Sequence, residues 1–463
     1  MAVRADWPRW VWPLMVAGLA APVGLLAGVA PEIAIGAAVA LAFLLVIASD
    51  LATGVMLFTG VSFFETIGGL GGTSVTKLVG LLLALAWLGT VATRPDAKRD
   101  FLRVHPRISG ALLMFLAWNG LSYAWSEHPA AALDALSRFT LNAILFLIVF
   151  TAIRNERDVV RVFWAFVIGA SLAVMVGALT GAGPTPYGEA ARITSSSNDS
   201  NELAAILVAS FALATGLALV ARRSPILRAV AFGAAAISLA GIVLTVSRSG
   251  LIALFVAVIA AIVFAGRWRP RVVAMSAIVV GSAVFYFAFF APATTRERVT
   301  TTEEGGHGRE DIWKVGWRMV EAHPIRGVGA GNFSTSSIHY LLIQPGVLRR
   351  SDFIVDTQKV AHNAYLQAWA ETGVIGLGLL LAVIIGVLAC SLKAIKAFER
   401  DGNLLMEILA RAQLVAAIGL LASLFFASNE YNKQLWLLLA MGPAMLAMAK
   451  ARNVTQPERG RNS

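Results

Sequence analysis

Apolar runs of about twenty residues recur along most of this chain, separated by short polar joints. No other feature constrains the fold as much. About twenty apolar residues let a helix cross the hydrocarbon of a bilayer, and there only helices or closed barrels satisfy every backbone donor and acceptor. Candidate spans fall at 10–29, 32–49, 51–66, 77–93, 108–124, 132–153, 158–180, 202–221, 226–246, 249–266, 272–291, 370–392, 406–426 and 433–449. The expected fold class is all-α: a polytopic integral membrane protein of 12–14 transmembrane helices, with one large loop before the last two or three. Only 14% of residues are charged, against about 25% in soluble domains. The run from Leu51 to Glu65 is short and leads into Gly68, Gly69, Gly71 and Gly72, so it is a candidate re-entrant segment. Met1–Ala30 has Arg4 and Arg9 ahead of its apolar stretch, as a signal peptide does; with so many spans behind it, it reads as an uncleaved first helix.

A net charge of +11 would suggest nucleic acid in a soluble chain. Here its placement argues otherwise. With the N-terminus inside and the spans alternating, the inside joints carry Arg94, Lys98, Arg99, Arg103 and Arg107, then Arg154, Arg157 and Arg161, then Arg222, Arg223 and Arg228. Arg267, Arg269 and Arg271 follow, then Lys393, Lys396, Arg400 and Arg411, and finally Lys450, Arg452, Arg459 and Arg461. With Arg4 and Arg9 these make 24 of the 38 basic residues. Clusters at every second joint from Arg94 onward are the positive-inside pattern, which implies both termini cytoplasmic and a bilayer, not nucleic acid, as the partner. The implied organisation is transmembrane helices over 1–290, a large outer loop over 291–361, C-terminal transmembrane helices over 362–449 and a disordered cytoplasmic tail over 450–463.

The long loop holds Trp313, Trp317, Phe333, Tyr340 and Phe353, which predicts packing rather than disorder. Asp311–Ala322 reads as a helix with Ile312, Val315, Met319 and Val320 near one face, ended by His323-Pro324.

Five of six histidines, His128, His307, His323, His339 and His362, fall outside; His105 is inside. Histidine titrates near neutral pH and can take a proton from an attacking hydroxyl. His362 opens the helix after the loop, at the membrane interface, with Leu366, Trp369 and Gly373 at helical spacing behind it. A helix cap is its plainer role. Arg192, Arg248 and Arg309 also fall near the outer interface, in Ala191-Arg192-Ile193-Thr194, Ser247-Arg248-Ser249-Gly250 and Gly308-Arg309-Glu310-Asp311. Their guanidinium forks suit a diphosphate, whereas salt bridges to Glu310, Asp311, Asp199 or Glu189 would be a structural alternative. Asp134 and Arg138 are spaced for a structural pair on one helix face. Gly327-Val328-Gly329-Ala330-Gly331-Asn332-Phe333 has the look of a phosphate cradle, with Arg326 beside it, but no strand precedes it and it reads better as a flexible turn. The only cysteine, Cys390, excludes an intramolecular disulfide. The carboxylates Glu303, Glu304, Asp352 and Asp356 have no metal-ligand spacing, so neither metal nor cofactor is expected.

Four stretches together resemble the O-antigen ligase and polymerase family. They are Gly308-Arg309-Glu310-Asp311-Ile312-Trp313; His323-Pro324-Ile325-Arg326-Gly327-Val328-Gly329-Ala330-Gly331-Asn332-Phe333; His362-Asn363, nine residues, then Gly373-x-x-Gly376; and Arg192 with Asn198 and Asn201. The resemblance implies an enzyme, a lipid-diphosphate-dependent glycosyltransferase of the inner membrane with its active face periplasmic. The implied donor is a glycan on undecaprenyl diphosphate, and the implied acceptor is lipid A-core or another lipid-linked glycan. It implies metal-independent, inverting transfer: His362 activates the acceptor hydroxyl, while Arg192 and Arg309, with Arg248 and Arg326, hold the diphosphate beside Asn201 and Asn363. An arginine-bound diphosphate leaving group can itself supply much of the catalysis. Two places depart from the family pattern. Ser200 replaces a proline, and Leu377-Gly378 replaces two threonines, which weakens ligase relative to polymerase. The competing reading is a transporter or flippase of the same lipid-linked glycan. That would be expected to carry charge at mid-membrane in repeated halves, and no internal repeat is visible here.

Overall fold

A computed structural model describes residues 47, 50–64, 75–93, 101–180, 193–194, 199–291, 296, 307–342 and 359–455. All regular structure among them is helical. The helices longer than four residues are α1 Leu51–Val61, α2 Val75–Thr93, α3 Pro106–Leu121, α4 Pro129–Ala152, α5 Glu156–Thr180, α6 Ser200–Val220 and α7 Pro225–Leu244. They continue with α8 Arg248–Val263, α9 Arg269–Phe289, α10 His307–Ala322, α11 Phe333–Leu342, α12 Ala364–Arg400, α13 Leu404–Ser423 and α14 Lys433–Thr455. Nine helices among the described residues are long and apolar enough to cross a membrane, and α1 and α8 are shorter apolar helices. The chain is therefore a polytopic membrane protein. The candidate spans at 10–29 and, apart from Ile47, 32–49 lie outside the described residues.

Helix ends fall where the sequence supplies caps. Asp199, Ser247, Asn363 and Asn403 cap α6, α8, α12 and α13 through side-chain oxygens that accept first-turn amides. Pro106, Pro129 and Pro225 occupy first positions, where the missing N–H has no partner to lose. Chain direction alternates from α3 onward. The joints carrying Arg154 and Arg157, Arg222 and Arg223, Arg267 and Arg269, and Arg400 consequently gather at one end of the bundle, the basic end. Arg452–Glu156 at 2.6 Å and Asn403 Nδ2–Glu156 Oε1 at 2.8 Å tie neighbouring helices there.

α6, α13 and α14 form the interior, and no residue in the apolar window of α9 is buried, as expected of a lipid-facing helix. At the other end, the loop end, α10 and α11 pack on the head of α12. Ile312, Val315, Met319 and Val320 are all buried there with Val328, Phe333, Tyr340, Ala361 and Ala370. The loop helix thus has the face its sequence implies, although it begins at His307, a turn earlier than Asp311. α12 has 37 residues, so it extends roughly 55 Å against about 30 Å of hydrocarbon. It is broken at Gly373 (φ +68°), which leaves a nine-residue head standing among the loop helices.

Candidate active site

His362 stands immediately before α12, not within it. Its backbone is left-handed (φ +49°), a region non-glycine residues visit uncommonly although histidine does so more than most. Neighbouring contacts hold it there. Ala361 N–H donates to Gln367 Oε1 (3.4 Å), Trp313 Nε1 donates to the Ala361 carbonyl (3.0 Å), and Ala364 N–H donates to the Leu424 carbonyl (2.8 Å). Asn363, the next residue, is the cap; its Oδ1 accepts from Tyr365 N (3.1 Å) and Leu366 N (3.0 Å). The expectation that His362 opens the helix and shares a face with Leu366 and Trp369 is therefore corrected. Its direction follows from the left-handed turn, and the capping role belongs to Asn363. The ring is half-buried.

The turn between α13 and α14 lies against this head. Gln367 Oε1 also accepts from Ser428 Oγ (2.6 Å), and Gln367 Nε2 donates to Glu430 Oε1 (3.1 Å). Glu430 is buried, and its second oxygen has no hydrogen-bond partner. Burial pushes its carboxyl up to about 8, with further upward pressure from Glu371, while its own backbone and Arg138 pull the other way. The Tyr431 carbonyl accepts from Asn142 Nδ2 (3.0 Å), and the Arg138 guanidinium lies 5.5 Å from the Tyr431 ring centre. Arg138 also makes the expected ion pair with Asp134 at 2.8 Å, so its role extends past that pair to the buried acid cluster. Asn432 Nδ2 then donates to Glu202 Oε1 on α6 (2.8 Å).

Next to Glu202, Asn201 Oδ1 accepts from Ser247 Oγ (2.7 Å) and Ser249 Oγ (3.3 Å), the residues flanking Arg248. Arg248 is half-buried and is the first residue of α8, so the turn expected to hold it ends one residue earlier, at the Ser247 cap. Val246 precedes that cap at φ +47°, an outlier for a β-branched residue. The N-termini of α6 and α8 meet here, and helix N-termini favour anionic groups. The structure thus brings Asn201 and Arg248 together and joins them to the His362 turn through Glu202, Asn432, Glu430 and Gln367. Arg309 lies in the first turn of α10. Arg192 and Asn198 lie outside the described residues.

The glycine-rich loop is neither cradle nor flexible turn. Gly331 N–H donates to Glu371 Oε2 (2.8 Å), and Phe333 N–H to Glu371 Oε1 (3.2 Å). Val328 N–H donates to the Ala370 carbonyl (3.0 Å), Gly329 N–H to the Glu371 carbonyl (2.8 Å), and Val374 N–H to the Pro324 carbonyl (2.9 Å). Amides that would greet a phosphate are thereby committed to the break in α12. Gly327 and Gly373 allow the two backbones to touch: a Cβ on Gly373 would meet the Ile325 carbonyl, and one on Gly327 the Glu371 carbonyl. Both have φ near +70°, where glycine is at ease. Asn332 is fully buried; its Oδ1 accepts from His128 N (2.8 Å) and its Nδ2 donates to Ser126 Oγ (2.7 Å), which ties the loop to the α3–α4 joint. Arg326 is exposed beside Gly373, roughly 15 Å down the helix from His362, so it is not brought to the histidine.

Sequence reading gave Glu371, Gln367, Glu430, Glu202 and Asn432 no role. Their signal was available: a carboxylate at the edge of an apolar span is costly unless paired or functional, and Ser428–Asn432 is a polar run wedged between two spans. Among the described residues no three His, Cys, Asp or Glu side chains group as metal ligands.

Residues 233–381, about a third of the chain, match the family model described as O-antigen ligase. The match runs from α7 through Arg248, the loop helices and His362 to the upper half of α12. No curated protein matches the chain. The family resemblance carried by the loop and His362 motifs is thus met over these residues: the protein is a polytopic membrane protein whose residues 233–381 are similar to the O-antigen ligase family.

Proposed function

We propose that this protein moves a glycan from undecaprenyl diphosphate onto an acceptor sugar at the periplasmic face of the bacterial inner membrane, with both termini cytoplasmic and no metal ion. The observation that carries the reading is the pinned left-handed turn at His362, linked by hydrogen bonds and chain neighbours to Asn201 and the two serines that flank Arg248 at two helix N-termini. In this reading the acceptor hydroxyl gives its proton to His362 while its oxygen attacks the anomeric carbon from the side opposite the diphosphate. The bond from that carbon to the diphosphate oxygen breaks, and undecaprenyl diphosphate leaves with the electron pair. Arg248, Arg192 and Arg309 bind the charge that grows on the leaving group, with Asn201 nearby; positively charged groups aimed at developing charge are a large catalytic effect. Asn363 sets the register of His362, and Arg326 is a further binding candidate in the glycine-rich loop. The acceptor is lipid A-core or a second lipid-linked glycan, and Leu377-Gly378 favours the second.

Complementation of a strain lacking this gene tests the reading. Wild type is compared with His362→Ala, Arg248→Ala, Arg192→Ala and Arg309→Ala at matched membrane levels. General base loss predicts a 10²–10⁴-fold drop for His362→Ala. Accumulated lipid-linked donor with no finished glycan is expected. Short one-unit chains identify a polymerase, and long unattached chains a ligase. Wild-type glycan in all four variants would refute the site and the reaction.

A further inference from the structure

A cavity of about 650 Å³ opens at the basic end, away from His362, between α6, α8, α9 and α13. Its volume lies within the roughly 300–1,000 Å³ of small-molecule sites. Phe211, Val258, Val279 and Val415 are among its apolar walls, and Arg222, Arg228, Trp268 and Arg271 stand at its rim. The guanidinium carbons of Arg222 and Arg271 lie 5.8 and 5.1 Å from the Trp268 ring centre, so the indole arrays the cations.

The carboxylates nearby are already matched. Glu407 is fully buried between Arg267 and Arg411, and Glu399 pairs with Arg411 at 3.2 Å. Among the described residues no carboxylate pairs with Arg222, Arg228 or Arg271. Arg222 Nε donates to the Leu219 carbonyl (3.3 Å), and Arg228 lies 5.7 Å from the Phe232 ring centre. All three arginines are exposed. The chamber is therefore mainly apolar within, and among the described residues its three rim arginines have no carboxylate partner. One of its walls is α9, which lines the chamber with Val272, Met275 and Val279 and has no buried residue in its apolar window.

We propose that this cavity is a binding site for an anionic phospholipid, with the headgroup phosphate on Arg222, Arg228 and Arg271 and an acyl chain in the chamber. A water-soluble anion would leave the chamber unused, and a zwitterionic lipid would leave the net positive rim uncompensated. Basic pockets between transmembrane helices are suited to such headgroups, and each arginine near the phosphate contributes roughly a fivefold change in affinity. The site is independent of the glycan-transfer site.

The test uses the full-length protein in detergent. Phosphatidylglycerol, phosphatidylcholine of the same acyl chains, and water-soluble glycerol phosphate are added separately. Retained lipid is counted by native mass spectrometry, and the thermal midpoint is followed. Wild type is expected to retain phosphatidylglycerol and gain several degrees with it alone. Arg228→Gln/Arg271→Gln should bind it about thirtyfold more weakly while its lipid-free midpoint stays at the wild-type value, since both residues are exposed. Ala261→Phe, which fills the chamber and spares the arginines, should also lose the lipid. Equal responses to the two lipids, a full response to glycerol phosphate, or undiminished preference in the arginine double variant would each overturn the proposal.

Discussion

Glu371→Ala should release the glycine-rich loop from the broken helix. The Glu371 side chain is buried and accepts the Gly331 and Phe333 amides at 2.8 and 3.2 Å. Truncation leaves the buried Phe333 N–H and the half-buried Gly331 N–H without acceptors, at about 1–3 kcal/mol each, so about 2–6 kcal/mol in all. At a tenfold change per 1.4 kcal/mol, the open population of the loop rises roughly 30-fold to 10⁴-fold. Arg326 is exposed within that loop, but the backbone around it is held by the Val328, Gly329 and Val374 bonds. Limited trypsin digestion in detergent reads the opening, because cleavage of a transiently opened segment follows its population when reclosing is fast. Cleavage after Arg326 should rise at least tens of times over wild type, while cleavage after Arg223 at the basic end stays constant. Glu371→Gln keeps one oxygen acceptor and should fall between. An unchanged rate after Arg326, or an equal rise at both sites, would refute the idea that Glu371 is the latch.

The Glu430 carboxyl, held at about 8, keeps its proton in the folded protein at pH values where an ordinary glutamate of pKa about 4.3 has lost it. The folded state thus binds more protons than the unfolded one between these values, and stability falls as pH rises from about 4.5 to about 8, by at most about 1.4 kcal/mol per pH unit. Glu430→Gln should remove that slope in thermal midpoints taken from pH 5 to 9; identical slopes would count against the buried neutral acid. Gly373→Ala forces a Cβ onto the Ile325 carbonyl at φ +68°, adding about 1–3 kcal/mol of backbone strain as well as the steric displacement. It should reproduce the Arg326 cleavage of Glu371→Ala, and a resistant loop would show that the break in α12 tolerates a side chain.

Much of the architecture was written in the sequence because a bilayer turns folding into a one-dimensional problem. Span lengths, the helical face of Ile312, Val315, Met319 and Val320, and the gathering of basic joints at one end follow from local composition and alternation. The candidate site was legible only in part. Asn201, Arg248 and His362 could be picked out by residue type and position, yet what joins them could not. Gln367 meets Glu430 and Ser428, Asn432 meets Glu202, and Asn332 meets His128 and Ser126, all across long sequence separations. Tertiary packing also decided that His362 is left-handed rather than helical, and that the loop amides face Glu371 rather than a ligand. Hydrophobic periodicity and charge are local quantities that one strand of sequence can carry. A buried hydrogen bond between distant elements depends on how helices cross and where one breaks, and that is settled only when the whole bundle packs.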